Sequence, residues 1–443
     1  MSAPGGNGAA AVKAVAAGAP AGSRGAAAAK QVVMWLAIAA VMMVLPLIFT
    51  QSFALSMLTQ MGIAIIFTLS YNMLLGQTGM LSFGHAVYYG MAAFICAHAL
   101  NAVAAGKFAL PVTLLPVIGG LAGLVFGIVF GYVTTRRSGT PFAMISLGIA
   151  EMFAASALMF PAFFGGEGGI ATNRVVGQAW MGIDYGPQRQ VYYLVAGWCL
   201  LSMMLMYALT RTPLGRMANA VRDNPERARF VGYNPTRVRY FMFCLASFFA
   251  GVAGSLGTIN YEIVTAENLG LVASGNVLVM AFVGGIGHFF GPVIGAVLVS
   301  FLQSALSSYT QAWLLYFGLF FVLMILFAPG GIASLLALHG PALRHGLWPR
   351  LVPGYLAAGS GAALMGAGLI ALVEMIYHFE QGEELGKQFR LFGFDVDVAL
   401  AMPWVVAALV FAAGVAVLVA TVPLVRRGWA AVNAGLHAKD AMQ

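Results

Sequence analysis

Eleven apolar runs of roughly membrane-spanning length follow one another along the sequence. They lie near residues 31–50, 53–75, 84–104, 109–134, 140–160, 191–209, 240–258, 275–306, 311–329, 352–377 and 399–425. A helix of about 20 predominantly apolar residues is long enough to cross the hydrocarbon core of a bilayer. The period-two alternation of membrane β-barrels is absent from these runs. The pattern therefore predicts an all-α polytopic membrane protein with about 10–11 transmembrane segments.

The composition agrees with this prediction and excludes several classes of protein. Hydrophobic residues make up 61% of the chain and charged residues only 8%, whereas soluble domains carry about 25% charged residues. A soluble globular protein and a disordered chain are excluded, and so is a nucleic-acid-binding protein despite a formal net charge of +8. The 55 glycines suit closely packed membrane helices. All three cysteines lie in apolar runs, which predicts packing residues rather than disulfides.

The distribution of lysine and arginine among the loops predicts the orientation of the chain. Most of the 22 basic residues fall in the N-terminal tail, the turn at 136–137, the loop 210–239, the segment 344–350 and the C-terminal tail. The remaining basic residues fall in the loops that alternate with these. Because basic loops are retained in the cytoplasm, both termini are expected to be cytoplasmic.

One apolar run does not fit a simple alternation of spans. Residues 275–306 form a run of 32 residues that is interrupted by four glycines and a proline between 284 and 292. Two simple spans at 275–306 and 311–329 would leave the basic segment 344–350 on the outer side. A broken or re-entrant segment restores the topology, because irregular backbone is tolerated at membrane depth where protein or water satisfies it. The alternative is that the number of membrane spans has been miscounted by one elsewhere in the chain.

The loop 210–239 is the most informative polar stretch. It holds seven arginines and three helix-start signals of one kind, Thr212-Pro213, Asn224-Pro225 and Asn234-Pro235. In each pair the side chain can cap a helix that begins with proline. The loop is therefore expected to contain short capped helices.

The second of these signals predicts a helix of about seven residues over 225–231. Gly232 follows directly, and glycine just past a helix is the usual C-terminal stop. Phe230 and Val231 have no apolar face of their own to join, which favours a docking element. The alternative is an ordinary solvated loop in which Phe230 tucks beneath the helix bundle.

The same helix resembles the EAA-xxx-G loop of ABC importer permeases. Glu226, Ala228 and Gly232 stand at the first, third and seventh positions of that motif, while Arg227 departs from it at the second. Four longer stretches resemble branched-chain amino acid permeases of the LivM and LivH type. They are 72–86, 150–151 followed by 165–169, 215–224, and 283–296 closed by 328–331. The resemblance covers about residues 31–335.

The resemblance implies a permease subunit of an ATP-driven ABC importer in a bacterial inner membrane. Its partners would be cytoplasmic ATP-binding subunits, a second homologous permease subunit, a periplasmic solute-binding protein that delivers leucine, isoleucine or valine, and the lipid bilayer. The residues implied to couple to the ATPase are Glu226, Ala228, Phe230 and Gly232. No catalytic residue, metal, cofactor or nucleic acid is expected. The sequence contains no G-x-x-x-x-G-K-[ST] phosphate loop, so ATP hydrolysis is expected on another chain.

Other solutes and one other class of transporter remain open. Within the same class, urea, amides or aromatic acids are alternatives, because the binding protein rather than the permease selects the solute. An ion-driven secondary transporter would require carboxylate pairs or a cation site within the membrane. Only Glu151 is deeply placed in an apolar run, which counts against that class.

A polar solute path is predicted from the few polar residues within apolar runs. Ionisable residues at membrane depth are functional candidates because hydrocarbon tolerates them poorly. The predicted path residues are Gln77, Ser82, His85, Glu151 and His288. Three of them also have a packing interpretation, in which His85 and His288 are satisfied between helices and Glu151 bonds to a neighbouring helix. Ser82 is also expected to cap the apolar run that follows it.

Two glycine-rich interruptions are expected to shape the backbone near these residues. The predicted structural glycines are Gly76, Gly79, Gly84, Gly285, Gly287 and Gly291. Breaks at matching positions in two halves mark the solute site in some transporters. Close helix packing explains both sets of glycines without any solute.

The domain organisation has three parts. Residues 1–30 are predicted to be a disordered cytoplasmic tail, 31–335 the permease core with its coupling loop 210–239, and 336–443 an extension with two extra transmembrane helices. The acidic loop between those helices is expected outside. A lipid-facing accessory hairpin is the preferred reading of the extension, and a contact with the binding protein is the alternative.

Overall fold

The computed structural model describes residues 21–107, 109–176, 184–380 and 388–440. Within these ranges ten helices are long and apolar enough to cross a membrane, or up to eleven if one bent pair counts as a span. This confirms the predicted class, an all-α polytopic membrane protein. Residues 1–20 of the predicted tail lie outside the described residues. The first helix begins at Ala21, so residues 21–30 are helical rather than part of a disordered tail.

The chain forms two compact units, and their boundary falls within the second helix. The first unit contains residues up to 70 and 82–271, and the second contains 71–81 and 272 onward. The helices that build the first unit are α1 (Ala21–Ile48), α2 (Ser52–Thr78, to residue 70), α3 (Ala86–Ala104), α4 (Leu115–Thr134), α5 (Thr140–Met159), α6 (Pro161–Phe164), α7 (Gln188–Arg211), α8 (Pro213–Asp223), α9 (Pro225–Phe230) and α10 (Pro235–Tyr261).

The core of the first unit forms where α10 packs against α4 and α3. Helix α4 carries a glycine at every fourth residue from Gly119 to Gly131, and these face a row on α10 that includes Ser247 and Gly251. A Cβ added at Gly123 would overlap the carbonyl of Ser247. Because small residues let the two backbones approach this closely, α10 is the most buried of the long helices.

A small cap of loops closes one end of the first unit. Strand β1 (Ile170–Ala171) pairs antiparallel with β2 (Ile263–Val264). The backbone N–H of Arg174 donates to Glu262 Oε1 at 2.9 Å, and its guanidinium donates to the carbonyl of Asn260 at 3.3 Å. The glycine-rich stretch at 165–169 leads directly into this cap.

After residues 71–81, the second unit continues with the broken apolar run. Its helices and strands are α11 (Leu271–Gly284), α12 (Gly291–Tyr309), α13 (Trp313–Phe327), α14 (Gly331–Arg344), α15 (Val352–Glu380), β3 (Gln388–Leu391), β4 (Phe394–Asp397) and α16 (Ala401–Asp440). Helices α11 and α12 fold back on each other, since a Cβ at Gly295 would overlap the carbonyl of Met280. The predicted interruption of the run 275–306 is therefore confirmed. Helices α13 and α14 form the bent pair, at an angle of 46°.

The extension consists mainly of α15 and α16, which pack along each other. Gly354, Gly361 and Gly368 recur at seven-residue intervals on α15 and lie against the backbone of α16. A seven-residue period keeps one face of a helix toward its partner over several turns. Strands β3 and β4 form an antiparallel hairpin before α16, while the preceding loop residues 381–387 lie outside the described residues.

Two polar clusters attach this helix pair to the rest of the second unit. At one end, Glu374 Oε1 of α15 accepts hydrogen bonds from Thr310 Oγ1 at 2.7 Å and from Tyr316 OH at 3.1 Å. At the other end, the hydroxyl of Tyr355 lies 2.7 Å from Nε2 of His339 on α14. The bonds of Glu374 thus join the extension to the predicted permease core at Thr310 and Tyr316, whereas the His339–Tyr355 contact lies within the extension.

Candidate functional site: a capped loop helix and a buried helix break

The loop 210–239 folds as its three cap signals predict. Thr212, Asn224 and Asn234 cap α8, α9 and α10, each accepting backbone N–H groups through its side-chain oxygen at 2.9–3.3 Å. Each cap is followed by proline at the first position of its helix. Local backbone chemistry therefore suffices to produce this chain of short helices between α7 and α10.

The short helix α9 presents apolar side chains away from the rest of the chain. Ala228 is 5% exposed and holds the helix in place, whereas Phe230 is 90% exposed and Val231 68% exposed. Gly232 ends the turn with φ +91°, a conformation that favours glycine. The predicted helix is confirmed with six residues, and the alternative in which Phe230 tucks beneath the bundle is wrong. Glu226 lies exposed in the first turn, where it complements the helix dipole.

An open cleft of about 300 Å³ lies beside α9. It is lined by residues of α8 and α9 and of the turn that follows, including Met217, Ala220, Ala228 and Tyr233. An exposed aromatic ring next to a cleft is the surface pattern of a protein–protein contact. The geometry therefore suits the docking of another protein chain at this loop.

A second candidate feature is the break between α2 and α3, which is buried. Gly79 ends α2 with φ +70°, and the chain then runs without helix to residue 85. His85 is fully buried, with Nε2 2.9 Å from Ser70 Oγ and its ring stacked on Phe67. This environment agrees with the packing interpretation of the histidine, because its ring is held by both a hydrogen bond and a stacked neighbour.

Ser82 lies in the same break but does not cap α3. The residue at the capping position is His85, which makes no side-chain cap hydrogen bond. Ser82 is 1% exposed, so it is part of the buried polar lining of the break. The neighbouring N–H of Phe83 donates to Ser146 Oγ of α5 at 3.0 Å, which attaches the break to that helix.

The five predicted path residues are divided between the two units. Ser82 and His85 share the buried break of the first unit, and Gln77, 7% exposed, belongs to the second unit. Glu151 lies on an exposed face of α5, and the bond to a neighbouring helix that its packing interpretation requires is not formed within the described residues. His288 is exposed in the turn between α11 and α12. A shared path lined by all five remains a prediction.

Most of the predicted structural glycines have a packing reason. A Cβ would overlap Asn72 Oδ1 at Gly76, the carbonyl of Ser146 at Gly84, and the carbonyl of Gly285 at Gly291. Gly79 and Gly285 have positive φ angles. Gly287 has open space where a Cβ would lie, so packing does not require glycine there.

Sequence reasoning missed several polar residues that the structure makes important. Ser70 and Ser146, which hold the break, gave no local signal because they lie among apolar residues of other helices. Glu374 could have been found, since it is a lone carboxylate within the apolar run 352–377.

Long apolar helices, two interrupted runs and a capped loop helix with an exposed aromatic ring together define a multi-pass membrane protein. The family described as "Branched-chain amino acid transport system / permease component" matches residues 53–329, which is more than half of the chain. The chain belongs to this family.

Curated relatives agree with the match. The high-affinity branched-chain amino acid transport system permease protein LivM of Salmonella typhimurium is 28% identical over 295 residues, covering 62% of this chain and 68% of the relative. BraD, the permease of the same transport system in Pseudomonas aeruginosa, is 24% identical over 279 residues, 60% of this chain and 89% of the relative. The fructose import permease FrcC of Rhizobium meliloti is 28% identical over 210 residues, which cover 45% of this chain and 58% of the relative. No solved structure matches the chain.

Proposed function

We propose that this chain is one permease subunit of an ATP-driven importer for leucine, isoleucine and valine in a bacterial inner membrane. It works with a second homologous permease, cytoplasmic ATP-binding subunits and a periplasmic solute-binding protein. The observation that carries the proposal is the exposed pair Phe230 and Val231 on the capped helix α9. In water, a rigid helix that displays two apolar side chains gains free energy when a partner covers them.

The charge distribution supports a cytoplasmic position for this loop. Loop 210–239 carries seven arginines, and basic loops are retained on the cytoplasmic side. With this loop inside, the basic C-terminal tail also lies inside. Reporter fusions at the C-terminus and after residue 231 test the orientation, and activity of a periplasm-only reporter at either place contradicts it.

The docking role of α9 is tested by truncating its aromatic side chain. We expect Phe230→Ala to weaken binding of the ATP-binding subunits roughly 30-fold, since anchors of this kind commonly contribute 2 kcal/mol or more. Phe394→Ala is the matched control, because Phe394 is 75% exposed in the extension. Copurification of the ATP-binding subunits and solute-stimulated ATP hydrolysis are the measurements. Equal loss in both variants, or loss in neither, contradicts the docking role.

The solute is tested separately with radiolabelled uptake. Because the sugar permease FrcC also matches part of the chain, the panel includes fructose beside leucine, isoleucine, valine, urea, a short amide and an aromatic acid. Uptake of the three branched-chain amino acids that depends on ATP and on the binding protein is expected. Transport of fructose alone would replace the amino acids as substrate and leave the permease role intact.

A further inference from the structure

Helix α5 has one face packed into the first unit and one face that the described chain leaves uncovered. The packed face carries Ala143, Ser146, Ala150 and Ala157. On the opposite face, Met144, Gly148, Glu151 and Ala155 are exposed and recur at intervals of three or four residues. Since the buried face fixes the rotation of the helix, Glu151 points away from the core of its own unit.

The position of Glu151 along α5 places its carboxylate near the middle of the membrane. It lies eleven residues after Thr140, the first residue of a 20-residue span. At 1.5 Å per residue this is roughly 16 Å along a helix of about 30 Å, the thickness of the hydrocarbon core. A short acidic side chain at that depth cannot reach the headgroups, and a charged residue facing lipid there is strongly unfavourable.

Lipid is therefore a poor occupant of this face, and the neighbouring residues suit a protein partner. Gly148, which precedes Glu151 on this face, has open space where a Cβ would lie. Ala155, which follows Glu151 on the same face, is also small. Small residues on both sides of a polar group allow another membrane helix to approach closely. Within the described ranges, Glu151 forms no hydrogen bond or ion pair with another side chain of this chain.

We infer that the Met144–Ala155 face of α5 is the contact with the second permease subunit, where Glu151 borders a water-filled solute path between the two chains. The inference rests on the proposed function insofar as it requires a paired permease. The water of such a path provides the high-dielectric surroundings that the carboxylate needs. The predicted role of Glu151 in the path thereby acquires a specific location.

The test uses single cysteines in the full transporter in membrane vesicles. Gly148→Cys, Glu151→Cys and Ala155→Cys are compared with the control variants Val125→Cys and Val129→Cys, which replace exposed apolar residues of α4. The native cysteines are buried, so the unaltered chain provides the background. Each variant is treated with a charged thiosulfonate reagent and with an apolar maleimide. Each is also paired with single-cysteine variants of the second permease subunit and treated with an oxidant, which joins one thiol of each chain in a disulfide.

We expect the α5 cysteines to react with the charged reagent at least roughly tenfold faster than the controls, because thiolates form in water and not in hydrocarbon. Disulfides between the two chains at these positions would also support the contact. Loss of permease pairing in the α5 variants, but not in the α4 controls, would support it as well. Reaction with the apolar maleimide only, as in the controls, without any link between chains, would overturn the inference. The measurement needs no knowledge of the solute, so it can fail while leucine uptake persists.

Discussion

Glu374 attaches the C-terminal extension to the predicted permease core, and its removal should weaken that attachment measurably. Its carboxylate accepts hydrogen bonds from Thr310 at 2.7 Å and from Tyr316 at 3.1 Å. Hydrogen bonds between membrane helices contribute about 0.6 kcal/mol on average and up to about 1.7 kcal/mol. With two such bonds lost, Glu374→Ala should lower the free energy of unfolding by about 1–3 kcal/mol.

The assay is reversible unfolding of the purified chain by SDS in mixed micelles, followed by tryptophan fluorescence. Glu380→Ala is the control, since it removes a carboxylate from the exposed end of the same helix. A double-mutant cycle with Thr310→Val isolates the shorter bond, and we expect a coupling energy of about 1 kcal/mol. Coupling within about 0.3 kcal/mol of zero would refute the reasoning, because the two sites would then act independently.

Three further variants probe packing, capping and the buried break. Gly123→Val should destabilise the first unit by about 1–3 kcal/mol, since the new side chain would displace α4 from Ser247 of α10; an unchanged melting temperature of the purified chain contradicts this. Asn224→Ala should cost α9 about 1 kcal/mol, seen as faster hydrogen exchange of the Arg227 amide it caps, and unchanged exchange would mean that the cap contributes nothing. His85→Ala should lower the free energy of unfolding by about 3–5 kcal/mol, as for other large buried rings. An unchanged free energy of unfolding together with lost uptake would instead favour a role in the solute path.

Local signals along the chain predicted part of this architecture well. The caps at Thr212, Asn224 and Asn234 were readable because a cap and the amide it binds lie within three residues. The break in the run 275–306 was readable because glycine and proline limit the backbone at the position where they occur. The same applies to the class of protein, which follows from the length of the apolar runs.

The environment of individual polar residues could not be read in the same way. The bond between Ser70 and His85 joins residues from two helices, and the exposure of Glu151 depends on which face of α5 packs inward. Ser82 looked like a cap because of its chemistry, but α3 begins only at Ala86. These features depend on tertiary packing, and a single sequence gives no measure of that.

The pairing of α15 with α16 has a consequence for how such an extension can be acquired. Two spans return the chain to the side of the membrane from which it departed, so their addition leaves the sidedness of every preceding loop unchanged. The seven-residue glycine repeat lets the two helices pack closely against each other, and the hydrogen bonds of Glu374 and Tyr355 attach the pair to the rest of the second unit. An ancestral permease could therefore gain these helices as one unit, whereas a single added span would have moved the C-terminus to the opposite compartment.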